Sequence, residues 1–189
     1  MIPRYQVVRK IISRIPKEDV LITTTGMISR EAFDIHDRPN NFYMLGSMGL
    51  LSAFGLGLAL RFPDKRIWII EGDRSMLMSL GTLPLIASES PRNIVHFILD
   101  NESYQSTGGQ PSISSNISLE QLAISSGYPK VAKATDLENL ETSISEILNN
   151  KGPILCLAKC GIEPVEGIPR VTIAPEDMRD RFRLALHNT

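Results

Sequence analysis

Two apolar runs end on acids. Ile67-Trp68-Ile69-Ile70 stops at Glu71-Gly72-Asp73-Arg74-Ser75, and Ile94-Val95-His96-Phe97-Ile98-Leu99 stops at Asp100-Asn101-Glu102-Ser103. Both runs are short and β-branched, the pattern of strands buried on both faces. Between them, Met76 to Ser90 carries apolar residues at helical spacing. A parallel strand–helix–strand unit would bring Asp73 and Asn101 to one carboxyl edge, where open parallel sheets bind ligands. A carboxylate and an amide oxygen are hard donors. They suit Mg2+, which takes few protein ligands and completes its shell with phosphate oxygens and water. Ser75 opens the helix after the first strand, whose free N–H groups can face an anion. The chemistry implied is a Mg2+–diphosphate site. Taken singly, Gly72-Asp73 also reads as a turn and helix cap, and Asp100-Asn101 as a surface turn.

The flanking chain supplies the elements that would position these residues. Tyr5 to Ile15 carries a helical apolar stripe ended by Pro16, and Val20 to Thr24 reads as a strand. A helix is expected from Ser29 to Ile35, capped by Ser29, with Arg30 and Glu31 readable as a solvated pair. Phe42 to Leu45 reads as a strand, and Gly46 to Leu60 as a helix after a glycine-rich start. Gly49, Gly55 and Gly57 each cost roughly 1 kcal/mol in a helix, so close packing is their expected use. Pro111 to Asn116 reads as a loop, a lid over the site in one reading. Leu119 to Ser126 and Leu137 to Leu148 read as helices, Lys130 to Ala134 and Pro153 to Ala158 as strands, Gly161 to Pro169 as irregular. A last helix runs from Pro175 to Leu186. The alternation predicts a doubly wound α/β fold, with a mostly parallel sheet and helices on both faces. His96, inside a strand, reads as a core residue.

Composition narrows the classes. The 189 residues are 42% apolar with a net charge of −1, which fits one globular domain over residues 1–189 and argues against nucleic-acid or anionic-membrane binding. No signal-peptide pattern and no eighteen-residue apolar run is visible, so a cytoplasmic chain is expected. The two cysteines, Cys156 and Cys160, read as reduced, partly buried thiols.

The ordered motifs resemble those of thiamine diphosphate enzymes. That family bears Gly-Asp-Gly-Ser after one strand and Asn-Asn or Asp-Asn after the next. Here Gly72-Asp73-Arg74-Ser75 is followed by Asp100-Asn101, with Asn101 28 positions after Asp73. Gly46-Ser47-Met48-Gly49 resembles the family's Gly-Ser/Ala-apolar-Gly segment. Ser106-Thr107-Gly108-Gly109-Gln110, with Thr24-Thr25-Gly26 and Ser29-Arg30-Glu31, resembles the phosphonopyruvate and sulfopyruvate decarboxylases.

The resemblance implies thiamine diphosphate and Mg2+ as cofactors and a 2-oxo acid substrate that loses CO2 to give an aldehyde. It carries Thr25, Gly26, Gly46, Ser47, Met48, Gly72, Asp73, Arg74, Ser75, Asn101, Ser103 and Tyr104 over as cofactor-binding positions. Asp73, Asn101 and Ser103 are the metal ligands. Met48 would press between the two cofactor rings; as a bare residue it also reads as core. No acid–base residue occupies a family motif. The activating glutamate belongs to a pyrimidine-binding domain that 189 residues leave no room for. A separate alpha subunit is therefore the expected partner, in a homo- or hetero-oligomer. Arg74 departs from the family's glycine, and Met27 stands where lysine is expected. A non-catalytic paralogue, or a subunit of another thiamine enzyme such as acetolactate synthase, stays open.

Overall fold

A computed structural model describes residues 1–105, 108–163 and 165–187. The strands are β1 (Ile2–Pro3), β2 (Val20–Thr23), β3 (Asn41–Tyr43), β4 (Ile67–Gly72), β5 (Ile94–Asp100), β6 (Ser103–Tyr104), β7 (Gln110–Pro111), β8 (Lys130–Ala134) and β9 (Ile154–Gly161). The helices are α1 (Arg4–Ile12), α2 (Met27–Ile35), α3 (Leu51–Arg61), α4 (Asp73–Met78), α5 (Thr82–Glu89), α6 (Leu119–Ser125), α7 (Leu137–Leu148) and α8 (Pro175–His187).

Seven strands form one sheet in the order β1-β9-β5-β4-β2-β3, with β8 also paired to β9. Every pairing in it is parallel. In register, Thr23 lies opposite Ile70 and Gly72 opposite Leu99. The ends of β2, β4 and β5 therefore open at one edge.

Alternation along the strands feeds two cores. Trp68, Ile70, Val95 and Phe97 point to the side covered by α1, α2 and α7 through Val8, Ile11, Ala32, Leu140 and Ile144. Ile67, Ile69, Ile94 and Ile98 point to the other side, covered by α3, α5 and α6 through Leu51, Leu56, Ile86 and Ala123. Each such isoleucine, shut away from water, contributes about 1.5–3 kcal/mol. α8 wraps the β3 edge and gives Met178 to the first core and Phe182 to the second. The doubly wound fold expected from the alternation is the fold observed.

Several boundaries differ. The helix expected from Met76 to Ser90 is two helices, α4 and α5, separated at Ser79-Leu80-Gly81. Gly81 favours the break, and Pro84 fits in the first turn of α5, where no intrahelical N–H bond is lost. The helix expected from Gly46 begins only at Leu51, because Ser47 (φ 58°) and Gly49 (φ 91°) hold left-handed conformations. Gly55 does pack closely: a Cβ there would run into Ile69 and lie 3.1 Å from Ile22 Cδ1, whereas one at Gly57 would meet open space. β1 was not expected, nor was the antiparallel β6–β7 hairpin.

Candidate functional site

Three strand ends and one loop converge on one cleft. From the loop after β2 come Thr24, Thr25 and Gly26, the last at φ 85°. From β4 and α4 come Gly72, Asp73, Arg74 and Ser75, and from the end of β5 come Asn101, Ser103 and Tyr104. Met48 reaches in from the loop before α3. Ten of the twelve expected cofactor-binding residues thus line one cavity. Gly46 and Ser47 sit on the same loop as Met48 but outside the lining. Ser106 and Thr107, in the decarboxylase-like segment, lie outside the described residues. Met48 is 38% exposed, which excludes its reading as a core methionine.

Asp73 is the first residue of α4 and is buried. Its Oδ2 lies 2.9 Å from the Ser114 hydroxyl, which also lies 2.9 Å from Asp100 Oδ1. Burial raises the Asp73 carboxyl above its ordinary pKa, opposed by hydrogen bonds from Ser112 and Ser114. Asp100 is paired with Lys159 at 2.6 Å. Asn101 Oδ1 accepts the Ser103 N–H at 3.1 Å, an Asx turn that folds the chain back into β6.

Arg74 adopts helical backbone, so the conformational freedom of glycine is not needed there. Its side chain is buried. Nη2 donates to the Gln110 carbonyl at 3.0 Å, and the guanidinium lies against the Tyr104 ring. Nε and Nη1 find no hydrogen-bond partner among the described residues, and neither does the buried Ser103 Oγ.

The expected solvated pair at Arg30 and Glu31 is not formed. Glu31 is fully buried and takes a bidentate contact from Arg4, at 2.9 Å to Nε and 2.6 Å to Nη2. Arg30 instead donates to the Pro169 carbonyl at 3.0 Å. Ser29 is not a cap but lies inside α2, its hydroxyl 2.7 Å from that of Thr23.

Residues 22–158 match the model of the thiamine pyrophosphate enzyme, C-terminal TPP binding domain. The chain belongs to this family. Among relatives of this thiamine pyrophosphate-binding domain, a phosphonopyruvate decarboxylase of Streptomyces viridochromogenes is 34% identical over 180 residues, 95% of this chain and 45% of the relative. The chain therefore spans about half the length of that enzyme. The sulfopyruvate decarboxylase subunit beta of Methanocaldococcus jannaschii is 36% identical over 184 residues, 97% of this chain and 96% of the relative. A solved thiamin diphosphate-dependent enzyme from Mycobacterium smegmatis superposes with a TM-score of 0.71 at 17% identity, over 85% of this chain and 32% of that one. No helix among the described residues is long and apolar enough to cross a membrane.

The cleft suits the family's cofactor in its donor chemistry. The orphaned Arg74 and Ser103 donors match an anionic phosphate group, and a charged hydrogen bond there would end their lack of partners. Asp73 and Asn101 offer hard oxygens. No cluster of three His, Cys, Asp or Glu occurs among the described residues, so a metal here would draw on phosphate and water as Mg2+ usually does.

The sequence did not single out Arg4, Gln105, Ser112, Ser114 or Lys159. Arg4 and Gln105 line the cleft, and Arg4 also donates to Gln105. Ser114 stood in a serine-rich stretch without periodicity. Only the turn of 3-10 helix over Ile113–Ser115 carries its hydroxyl to the two aspartates.

Proposed function

We propose that this chain is the diphosphate-binding subunit of a thiamine diphosphate- and Mg2+-dependent decarboxylase, one that converts 3-sulfopyruvate or 3-phosphonopyruvate to an aldehyde and CO2. The observation that carries the reading is coverage. The likeness to a subunit named for sulfopyruvate decarboxylase runs through 96% of that relative, while the same residues are 45% of a phosphonopyruvate decarboxylase. The remainder of the larger enzyme then corresponds to a separate alpha subunit, with which this chain forms a cytoplasmic hetero-oligomer.

In this reading Asp73, Asn101 and Ser103 hold Mg2+. Arg74, Ser75, Thr25 and Gly26 bind the diphosphate, and Gly72 keeps the turn close to it. Tyr104 lies over Arg74 and narrows the cleft above it. Gly46 accepts from the aminopyrimidine through its carbonyl, and Ser47 sets the loop that presents Met48 to the rings. When bound, the cofactor supplies the electron sink for loss of CO2 from a 2-oxo acid. The buried glutamates beside the cleft are engaged elsewhere. Glu31 is tied to Arg4, and Glu71 to His96 and Ser75. Activation of the aminopyrimidine accordingly falls to a glutamate of the partner.

The test is to purify the chain with its co-purifying subunit and assay CO2 and aldehyde release from sulfopyruvate and phosphonopyruvate side by side. Release from either, dependent on thiamine diphosphate and Mg2+ and absent for the chain alone, supports the reading. Release by neither sinks it. A second reading, a non-catalytic paralogue, is favoured by one observation: the Arg74 side chain occupies space in the cleft where the family has glycine.

A further inference from the structure

Behind Ser75 of the cleft runs a line of buried polar groups, Glu71, His96 and Tyr128, that the proposed reaction does not use. Tyr128, just after α6, has its hydroxyl 3.1 Å from His96 Nδ1 on β5. The other nitrogen of His96, Nε2, lies 2.7 Å from Glu71 Oε1 on β4. The second oxygen of Glu71 accepts the Ser75 hydroxyl. Glu71 and His96 are wholly inaccessible to solvent, and Ser75 and Tyr128 nearly so.

Ser75 then branches. Its oxygen lies 3.2 Å from the Thr24 hydroxyl, which donates to it, and 3.3 Å from the Gly49 N–H. Thr24 belongs to the loop after β2, Gly49 to the loop before α3, and Ser75 to the first turn of α4, which follows β4 directly. One hydroxyl therefore joins two of the loops that surround the cleft to the start of α4. A hydroxyl carries one proton and accepts through two lone pairs. Here the proton goes to Glu71, which leaves both lone pairs for Thr24 and Gly49. A carboxylate is the side chain that enforces this, because it accepts at both oxygens and donates at neither. His96 fills one oxygen, so Ser75 fills the other. Tyr128 sets the ring of His96 in turn.

We propose that Glu71 is a positioning residue that acts through Ser75, locking two cleft loops and the start of α4 into one body before the diphosphate arrives. The proposal rests on the reading of Ser75 as part of the cofactor seat. Loops that are already joined lose less freedom on binding, so their coupling appears as affinity. Glutamine at position 71 would weaken the pattern, since it offers one acceptor oxygen where the carboxylate offered two. The His96 N–H and the Ser75 hydroxyl compete for it until His96 changes tautomer. Whenever the amide nitrogen faces Ser75, that hydroxyl turns and its bond to Gly49 or Thr24 is lost.

The experiment has two measurements, on wild type, Glu71→Gln, Ser75→Ala and the double variant, each in its native assembly. The first is amide hydrogen exchange, which needs no cofactor. The Gly49 amide should exchange at least about tenfold faster in either single variant, while Ile69 and Ile98 in the core strands keep their protection. The second is the thiamine diphosphate Kd at saturating Mg2+. Each single change should raise it about tenfold or more, the scale of one hydrogen bond to a charged group. The double variant should match Ser75→Ala, because Glu71 has nothing left to orient. Unchanged Gly49 exchange in both singles overturns the proposal, as does a double variant in which the two effects multiply. Should Glu71→Gln not fold, Tyr128→Phe removes one oxygen from the far end. Faster Gly49 exchange in it and in Ser75→Ala sustains the proposal, and unchanged exchange in Ser75→Ala overturns it. If wild type shows the exchange pattern and its assembly does not bind thiamine diphosphate, the loops are locked as proposed and the functional reading is what fails.

Discussion

Asp73 and Asp100 meet at a single hydroxyl: Ser114 Oγ stands 2.9 Å from an oxygen of each. One hydroxyl has one proton and serves one carboxylate at a time. Asp100 also has Lys159 at 2.6 Å. Asp73 has no ion pair among the described residues, and burial holds its carboxyl pKa up against the weaker pull of the Arg74 charge. A divalent ion would supply the missing charge. Thiamine diphosphate with Mg2+ should therefore raise the melting temperature of the assembly, with about 2.7 kcal/mol added at 100-fold over Kd. Asp73→Ala should abolish that shift. An undiminished shift in a scanning-calorimetry comparison removes Asp73 from the metal site, and no shift in wild type favours the paralogue.

Arg74 can be tested by its loss. It holds helical backbone and keeps two buried guanidinium nitrogens without partners among the described residues. Arg74→Gly should weaken thiamine diphosphate binding by about 1.5–3 kcal/mol, a ten- to hundredfold rise in Kd. Calorimetric titration in saturating Mg2+ reads this directly. Equal or tighter binding would show that Arg74 obstructs the cleft.

The buried pair Arg4–Glu31 joins α1 to α2 next to the cleft. Both side chains are shut away from water, and removing one partner strands the other charge. Glu31→Ala should destabilise the fold by about 3–5 kcal/mol in urea unfolding. A loss under 1 kcal/mol, the scale of an exposed pair, would mean that water reaches Arg4.

The C-terminal helix is held by a contact that acid should release. Arg181 meets Asp37 with two nitrogens at 2.7 Å each, and Tyr43 donates to the same carboxylate at 2.9 Å. Burial pushes the Asp37 carboxyl up, but these donors outweigh it and hold the pKa below the usual value. A depressed folded pKa means stability that is complete above the unfolded pKa, about 3.9, and lost as pH falls through the lower folded one. Asp37→Asn should cost about 1 kcal/mol at pH 7. The gap to wild type should close below about pH 4. A gap that stays constant with pH would show that ionisation of Asp37 plays no part.

Cys156 and Cys160 should behave as inert thiols. Both are buried in β9 and burial pushes their pKa values up to about 12. The thiolate is the reactive form. A chromogenic disulfide reagent at pH 8 should count no thiol in the native chain and two after denaturation, the number the chain contains. Fast reaction in the native state would mean that β9 opens.

The sheet and its layers were legible because the strands are continuous apolar runs and the helices carry periodic stripes, two signals that burial itself imposes. The cleft was legible through Gly72-Asp73 and Asp100-Asn101, whose types and spacing follow from where strands end. Contacts set by long-range packing were not. Nothing near Glu31 in sequence announces Arg4, 27 positions earlier, and nothing near Asp73 announces Ser114, 41 positions later. Glu71 and His96 pair because Ile69 lies opposite His96 in the β4–β5 register, a relation that periodicity within one strand cannot express. The α4–α5 break was misread because the apolar spacing continues across Gly81 while the backbone does not.

The sheet order β5-β4-β2 puts three of the loops that line the cleft on adjoining strands of fixed register. β3 and β8 lie outside that group. Inheritance can act on these parts separately. A lineage can lengthen or recharge the turns beside β8 without moving those three loops, whereas the turn after β3 carries Met48 into the cleft. A change in the register of β4, by contrast, would displace Asp73, Arg74 and Ser75 together. Small steps are thus open to a chain of this kind at the β8 margin of its sheet, while a new cleft would require rebuilding its centre.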